Sequence, residues 1–344
     1  MPRTALITGV TGQDGAYLAR LLLEQGYRVV GAMRRSPSPR DGRLRELGIA
    51  GAIEPIELDL LQSANLIRAI ETTRPDEIYN LAAQSFVALS FEQPILTAEI
   101  DAIGPARLLE AIRMAGGGIR FLQASTAEMF GRAKAAPQDE ETPFHPRSPY
   151  GVAKLYAHWM TVNYRDSHGL HASSAILFNH ESPLRGIEFV TRKITYSLAL
   201  LRQGRLDVLK LGNLDARRDW GHAEDYVRGM WQMMRQDQSD DYVLATGESH
   251  TVRDFVGHAA RPLGFELEWA GSGMAEQGRD RRTGQIVVAV DPAFYRPTEI
   301  ELLVGNAAKA RRALGWAPRI GFAAMVEAMA ESDERRVRDG RGPT

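Results

Sequence analysis

The chain has 344 residues, 44% of them apolar and 25% charged, with a formal net charge of −1 and no cysteine. That composition suits a soluble globular protein of one large domain or two ordinary ones. It excludes disulfides, thiolate metal sites and cysteine nucleophiles, and it gives no bulk electrostatic attraction to nucleic acid or membrane. The start, Met1-Pro-Arg-Thr-Ala-Leu-Ile-Thr-Gly9, leads straight into a strand without a signal-peptide apolar stretch. No run approaches the ~18 apolar residues of a membrane span, so a cytoplasmic location is the default expectation.

Through the first half, short apolar strands alternate with amphipathic helices. The pattern predicts strands at Ala5–Ile7, Arg28–Met33, Ile53–Leu58, Glu77–Leu81, Ile119–Ala124 and Ala172–Leu177. Between them it predicts helices at Tyr17–Gln25, Ala64–Thr72, Pro105–Ala115 and Pro149–Asp166. Such alternation predicts an α/β, Rossmann-like doubly wound parallel sheet. The rhythm lapses after residue 178. Helices are expected at Phe189–Gln203, Asp225–Arg235, Val252–Leu263 and Gly321–Ala330, and a short strand at Val208–Gly212. Asp241–Ala245 is expected to rejoin the main sheet. Ser36–Gly42 and Gly271–Gly278 read as loops, and the charged stretch after Ser332 is expected to fray. The expected organisation is a nucleotide-binding domain at 1–178 plus about 224–247. A smaller, mixed α/β C-terminal substrate-binding domain would take about 179–223 plus 248–332, followed by a charged tail at 333–344.

Gly9-Val10-Thr11-Gly12-Gln13-Asp14-Gly15 follows the first strand and opens the first helix. Glycines there permit a tight turn and close approach of backbone to a pyrophosphate, and the helix N-terminus offers free amides to the anion. NAD-binding folds usually place an acid at the end of the second strand for the ribose 2′-hydroxyl. This chain has Arg34, Arg35 and Ser36 instead, which suits the 2′-phosphate of NADP. Asp59 and Leu60, after the third strand, are candidates for the adenine edge. Leu81, Ala82, Ala83, Gln84 and Ser85 end the fourth strand with mostly small residues that leave room for cofactor.

Four polar residues carry the chemistry: Thr126, Glu128, Tyr150 and Lys154. Tyr150 and Lys154 are four apart on a helix and share one face. A free Tyr, with a pKa near ~10, is a poor base at neutral pH, and a nearby ammonium favours its phenolate. Ser148-Pro149 supplies an N-cap and a first-turn proline. Oxidation of an alcohol needs only one base, so the extra carboxylate of Glu128 points to a reaction beyond oxidation. Beside a ketone, a carboxylate can remove the α proton and then donate it to a leaving hydroxyl, which drives elimination of water.

These residues resemble the extended short-chain dehydrogenase/reductase family, and within its sugar-nucleotide branch the GDP-mannose 4,6-dehydratases. The stretches that carry the resemblance are Gly12-Gln-Asp-Gly15, Phe178-Asn-His-Glu-Ser-Pro-Leu-Arg-Gly186 with Phe189–Lys193, Leu211–Ala223, Arg296-Pro-Thr-Glu299 and Leu314-Gly-Trp-Ala-Pro318. Together they span roughly residues 3 to 331. The resemblance implies an NADP-dependent lyase acting on GDP-mannose, whose product could feed fucose, rhamnose or amino-sugar formation. It implies that Thr126 bonds the sugar 4-hydroxyl, Tyr150 takes its proton, and Glu128 acts at C5 and C6. It further implies that Lys154, His180 and Arg185 hold the cofactor, and that Asn179, Val190, Lys193, Gly212, Arg218, Arg296 and Glu299 hold the GDP moiety, with Ser85, Thr126 and Glu128 also meeting substrate. A homotetramer or dimer is implied, with Arg35 reaching a neighbour's cofactor. No metal is called for. The alternative within the branch is a related NADP-dependent reductase or epimerase, which has no need of a C5 base. A non-catalytic NADP-binding regulator would be expected to lack Tyr150 or Lys154, and both are present. Ala127 departs from the family's common Ser.

Overall fold

The computed structural model describes residues 2–36, 41–133, 135–294 and 302–343. It divides into two compact units. The first comprises Met1–Phe178, Ala223–Ala245 and Gly305–Ala317; the second comprises Asn179–His222, Thr246–Val304 and Pro318–Thr344.

The first unit is built on a seven-stranded sheet in which all strands run parallel. In spatial order they are Asp241–Leu244, Ala172–Leu177, Arg120–Thr126, Glu77–Asn80, Thr4–Thr8, Arg28–Met33 and Glu54–Glu57. Helices cover the faces, so the inner strands are apolar and buried throughout; Ala5, Leu6 and Ile7 are fully enclosed. The order of connection reverses between Thr4–Thr8 and Glu77–Asn80. Ligands of open α/β sheets bind beyond the carboxyl ends of the strands at such a point. Buried side chains stitch those ends together. Thr8 Oγ1 donates to Asn80 Oδ1 at 2.7 Å, and Asn80 Nδ2 donates to Gln123 Oε1 at 2.8 Å.

Three elements of this unit differ from the sequence expectation. The first helix begins at Gln13, not Tyr17, because the glycine turn delivers the chain directly into a polar first turn that shows no apolar period. The segment before Gly104 is helical as well: Val87–Glu92 and Pro94–Ala98 lead into a π-helical turn at Glu99–Ile103. Pro105, which lacks an N–H, sits just past that widened turn. The strand predicted at Ile119–Ala124 runs from Arg120 to Thr126.

The second unit packs the helices Val190–Arg202, Val252–Ala260 and Phe322–Arg338 with three small sheets. Leu267–Ala270, Gln277–Asp280 and Ile286–Val290 are antiparallel neighbours, and Leu209–Leu211 joins them in parallel. Arg217–Arg218 lies between His250–Thr251 and Leu302–Leu303. Asn179–Glu181 pairs in parallel with Trp220–His222. Trp220, Phe255 and Phe322 form an aromatic centre, surrounded by Leu198, Leu201, Met325 and Met329. Part of the loop expected at Gly271–Gly278 is therefore strand.

The tail is also corrected. The last helix does not fray after Ser332 but continues to Arg338. Asp333 is fully buried and receives Arg192 Nε on both oxygens at 2.8 Å, with Thr195 Oγ1 donating to it at 2.6 Å. Charge patterning alone cannot distinguish that enclosed pair from a solvated face. Among the described residues, no helix is long and apolar enough to cross a membrane.

Candidate active site

The glycine turn has the geometry its residues demand. Gly9 takes φ +69°, and a Cβ there would stand 2.9 Å from Ala82 Cα. A Cβ on Gly15 would stand 2.6 Å from Val10 Cα, so only glycine lets the first helix lie this close to the first strand. Gly12 donates its N–H to the Gly9 carbonyl at 2.9 Å and caps the helix with no side-chain bond. The turn thus presents main-chain amides at a helix start beside the small residue Ala82, which is a shape for a diphosphate. Gln13 turns inward to Asp14 at 3.0 Å. Thr11 contributes its carbonyl, which accepts from Arg43 Nη1 at 3.2 Å. Arg43 was not singled out in the sequence. It sits in the short helix Gly42–Glu46, where no motif marks it.

Arg34, Arg35 and Ser36 stand exposed beyond the second strand. Residues 37–40, the centre of the expected Ser36–Gly42 loop, lie outside the described residues. Asp59 uses Oδ1 to accept the Leu61 N–H at 3.0 Å, while Leu60 is buried against Gly104. Leu81 and Ala82 both donate backbone N–H groups to Thr8 Oγ1 at 3.1 Å. Gln84 is engaged internally: its side chain contacts Thr97 and accepts from Phe86, leaving Ala83 and the exposed Ser85 as the accessible small residues.

The four chemistry-bearing residues gather around one strand end. Thr126 closes its strand and caps a 3₁₀ turn, Ala127–Met129, by accepting the Glu128 N–H on Oγ1 at 3.2 Å. Its hydroxyl proton is therefore available to a ligand. Ser148 accepts the Gly151 N–H at 3.0 Å and Pro149 begins the helix Pro149–His168, as the Ser-Pro pair predicts. Lys154 is almost wholly buried and donates to the Ala124 carbonyl at 3.0 Å, which pins the helix to the strand. Its Nζ lies 5.9 Å from the Tyr150 ring centre. A Cβ at Gly151 would stand 2.9 Å from the Glu128 carbonyl oxygen, so the helix and the Glu128 turn touch through glycine. Ala127 is buried; a hydroxyl at that position would be enclosed by protein.

Burial pushes the Lys154 ammonium below the ordinary lysine range, while the charges of Asp101 and Asp14 oppose that shift. Asp101 was also missed in the sequence. It lies on the π turn, fully buried, and desolvation pushes its carboxyl up to about 6 against the pull of Lys154 and the Gln84 N–H. The available signal was an acid on the enclosed face shared by Thr97, Gly104 and Leu108. A second buried chain runs beneath the strand end, from His158 Nδ1 to Ser174 Oγ at 2.8 Å and on to Ser125 Oγ at 2.7 Å.

In the second unit, His180 is buried and Asn179 half-buried on the strand Asn179–Glu181. Arg185 is an ion-pair partner of Glu181 at 3.0 Å and lies 3.6 Å over the Phe189 ring. Val190 and Lys193 lie on the first turn of the helix Val190–Arg202. Burial lowers Lys193 to about 8, and its Nζ sits 3.1 Å from the Phe294 ring centre. Gly212 is half-buried after its strand. Arg218 is buried, with Nη1 donating to the Arg217 carbonyl at 2.7 Å. Arg296 and Glu299 lie outside the described residues.

Known proteins are similar to this chain in sequence and in fold. A GDP-mannose 4,6-dehydratase of Sinorhizobium fredii is 56% identical over 321 residues, 91% of this chain and 92% of its own length. The human GDP-mannose 4,6 dehydratase is 48% identical over 342 residues, 97% of this chain and 92% of its own. Among solved structures, the dTDP-glucose 4,6-dehydratase DesIV of Streptomyces venezuelae, with NAD and TYD bound, superposes with a TM-score of 0.82. It is 22% identical, and the match covers 99% of each chain. RMD of Pseudomonas aeruginosa, complexed with NADPH, gives 0.76 at 23% identity, covering 97% of this chain and 100% of its own. The GDP-mannose 4,6 dehydratase family profile matches residues 6–329, and the chain belongs to that family.

Proposed function

We propose that this protein is an NADP-dependent hydro-lyase that converts GDP-α-D-mannose to GDP-4-dehydro-6-deoxy-α-D-mannose and water. One observation carries the reading. The alcohol-oxidising pair Tyr150 and Lys154 is fastened to the same strand end that turns into Glu128. Membership of the family supports the substrate, as do relatives named for this reaction.

The first unit has the features a dinucleotide requires: a glycine turn with no room for side chains, an uncapped helix start and exposed cations after the second strand. Bound NADP would supply a hydride acceptor for sugar C4 and a donor for C6, so no net oxidation would result. Gly9 to Gly15 would cradle the diphosphate. Arg34, Arg35 and Ser36 would hold the 2′-phosphate, with Arg43 beside the turn as a further cation. Asp59, Leu60 and the backbone of Leu81 to Ser85 would border the remainder. In the second unit, Arg218 and Lys193 suit a nucleoside diphosphate, alongside Asn179, Val190 and Gly212. Arg296 and Glu299, outside the described residues, are proposed to join them, as the resemblance implies. His180 is proposed for the cofactor. Arg185, held by Glu181 and Phe189, is proposed to support that segment.

Thr126 donates its hydroxyl to the sugar 4-oxygen, and Tyr150, as phenolate favoured by the Lys154 charge, takes the 4-hydroxyl proton. The C4 ketone then acidifies C5. Glu128 removes the C5 proton and donates it to the C6 hydroxyl, which leaves as water with formation of the C5–C6 double bond. As the C5–C6 double bond is reduced, C5 takes a proton from solvent, and Tyr150 releases the 4-hydroxyl proton to solvent to regain its starting state. The test is turnover of GDP-mannose in deuterated water followed by NMR. The expected product is a 6-deoxy-4-keto sugar carrying deuterium at C5. An untouched GDP-mannose pool alongside turnover of another nucleotide sugar would overturn the substrate assignment. Replacing Arg34 and Arg35 with Ala is expected to weaken NADP at least ~10-fold and leave NAD nearly unaffected; equal losses would remove the 2′-phosphate clamp.

Self-association as a homotetramer or dimer is part of the proposal. It is supported by exposed apolar side chains on the helices Val87–Glu92, Pro94–Ala98 and Pro149–His168, among them Phe91, Ile95, Leu96, Val152, Tyr156 and Trp159.

A further inference from the structure

Asp101 has no part in the chemistry described so far. Its Oδ1 accepts the Gln84 backbone N–H at 2.8 Å, while Oδ2, also buried, has no hydrogen-bond partner among the described residues. The π turn that carries it packs against the helix Pro149–His168, home of Tyr150 and Lys154. Lys154, itself buried, is the charge that acts on the Asp101 carboxylate from that helix. Asp14, from the helix that follows the glycine turn, is the other acid that acts on Lys154. On the turn itself and the next helix, Glu99 and Arg107 pair with each other at 2.9 Å.

A carboxylate with an open oxygen is a costly group to enclose. An amide would make the same bond to Gln84 without that cost. What the carboxylate adds is its charge, and the acid and the ammonium stand in the same low-dielectric interior. We propose that Asp101 is a positioning residue for the catalytic pair: from the π turn packed on their helix its carboxylate faces the buried Lys154 as a counter-charge, while its Oδ1 fixes the Leu81–Ser85 strand end. One side chain then links the helix that handles the proton with the segment proposed to border the cofactor. The inference rests on the reading of Lys154 as the partner of Tyr150.

The sign follows from the electrostatics. Burial drives the proton off Lys154 and Asp101 opposes this. Without the Asp101 charge, Lys154 becomes neutral at lower pH and the Tyr150 phenolate loses its counter-charge. The wild-type Asp101 carboxyl itself goes neutral below about 6. The Asp101→Asn protein, which keeps the Gln84 bond, is therefore expected to match wild-type kcat near pH 5.5. It should fall behind as pH rises, by about 10-fold on the alkaline side for each unit by which the limb moves. In a Lys154→Met background the same substitution is expected to leave the profile unmoved. An Asn variant that tracks wild type across the pH range overturns the proposal, and so does a shift that persists without Lys154.

A second measurement needs no turnover. Between pH 5 and 7 the folded wild-type protein must release the Asp101 proton, which the unfolded chain has already lost. The urea midpoint of wild type relative to Asp101→Asn is expected to fall over that interval. In a Lys154→Met background the fall is expected to move to higher pH, because the ammonium that holds the Asp101 carboxyl down is gone; an interval that stays in place without Lys154 overturns the proposal. A Lys154→Met protein with wild-type turnover would instead overturn the reading of Lys154, a result distinguishable because the Asp101 stability profile needs no catalysis.

Discussion

At the residue scale, the proposed mechanism gives separate duties to groups only a few positions apart. Thr126 accepts the Glu128 N–H and so keeps its own proton for a ligand, while Glu128 follows on a 3₁₀ turn that fixes its backbone. Glu128→Gln keeps the size and removes the base. Turnover is expected to fall by ~10²–10⁴-fold, the span of a lost general acid–base group, with GDP-mannose affinity kept. Equilibrium binding and single-turnover measurements check this, and a fully active Gln variant would remove Glu128 from the C5 step. That Tyr150 and Lys154 share one helix was legible in the sequence, because a spacing of four is a local property. Asp101 was not, since its importance depends on a tertiary neighbour fifty-three positions away. Arg185, proposed for the cofactor by resemblance, also meets Glu181 and Phe189 next to it, contacts that no motif marks.

At the element scale, close approach decides function. Gly151 lets the helix Pro149–His168 rest on the Glu128 turn, where a Cβ would stand 2.9 Å from the Glu128 carbonyl and 3.1 Å from Pro146 Cβ. Gly151→Ala is expected to push the two apart. Steady-state kinetics should show kcat reduced at least ~10-fold with KM little changed, and overpacking of this kind costs about 1–3 kcal/mol of stability. Unaltered kcat would mean that the spacing between helix and turn does not matter. The parallel strands were readable because their enclosed apolar runs need no partner to be recognised. The π turn at Glu99–Ile103 was not, because its extra residue per turn breaks the helical period. The tail failed for a different reason. Asp333 and Arg336 read as surface charge, yet Asp333 is enclosed with Arg192. A chain ending at Ser332 leaves Arg192 buried without its acid. The second unit is then expected to lose ~3–5 kcal/mol, the cost of stranding one member of a buried ion pair. A denaturation midpoint equal to that of the full chain would show that the ordered tail adds nothing.

At the scale of the whole molecule, near-neutral net charge leaves apolar contact as the force that drives association. Val152, Tyr156 and Trp159 are spaced i, i+4 and i+7 on the helix Pro149–His168 and form one exposed stripe, while Tyr150 and Lys154 are buried. Ile95 and Leu96, on a neighbouring short helix packed against it, extend the apolar surface. A patch of this kind is costly to leave in water, and a second copy offers the same surface in return, as a two-fold interface requires. Sedimentation velocity at micromolar concentration is expected to show dimer or tetramer for wild type. A variant with Ile95→Glu and Trp159→Glu together is expected to sediment as monomer, because two carboxylates would have to be desolvated at each copy of the contact. Turnover should fall with it if association steadies the helix that carries Tyr150 and Lys154, and the concentration dependence of kcat in wild type should follow the same curve as assembly. A wild-type monomer, or a double variant that assembles normally, would place the interface elsewhere.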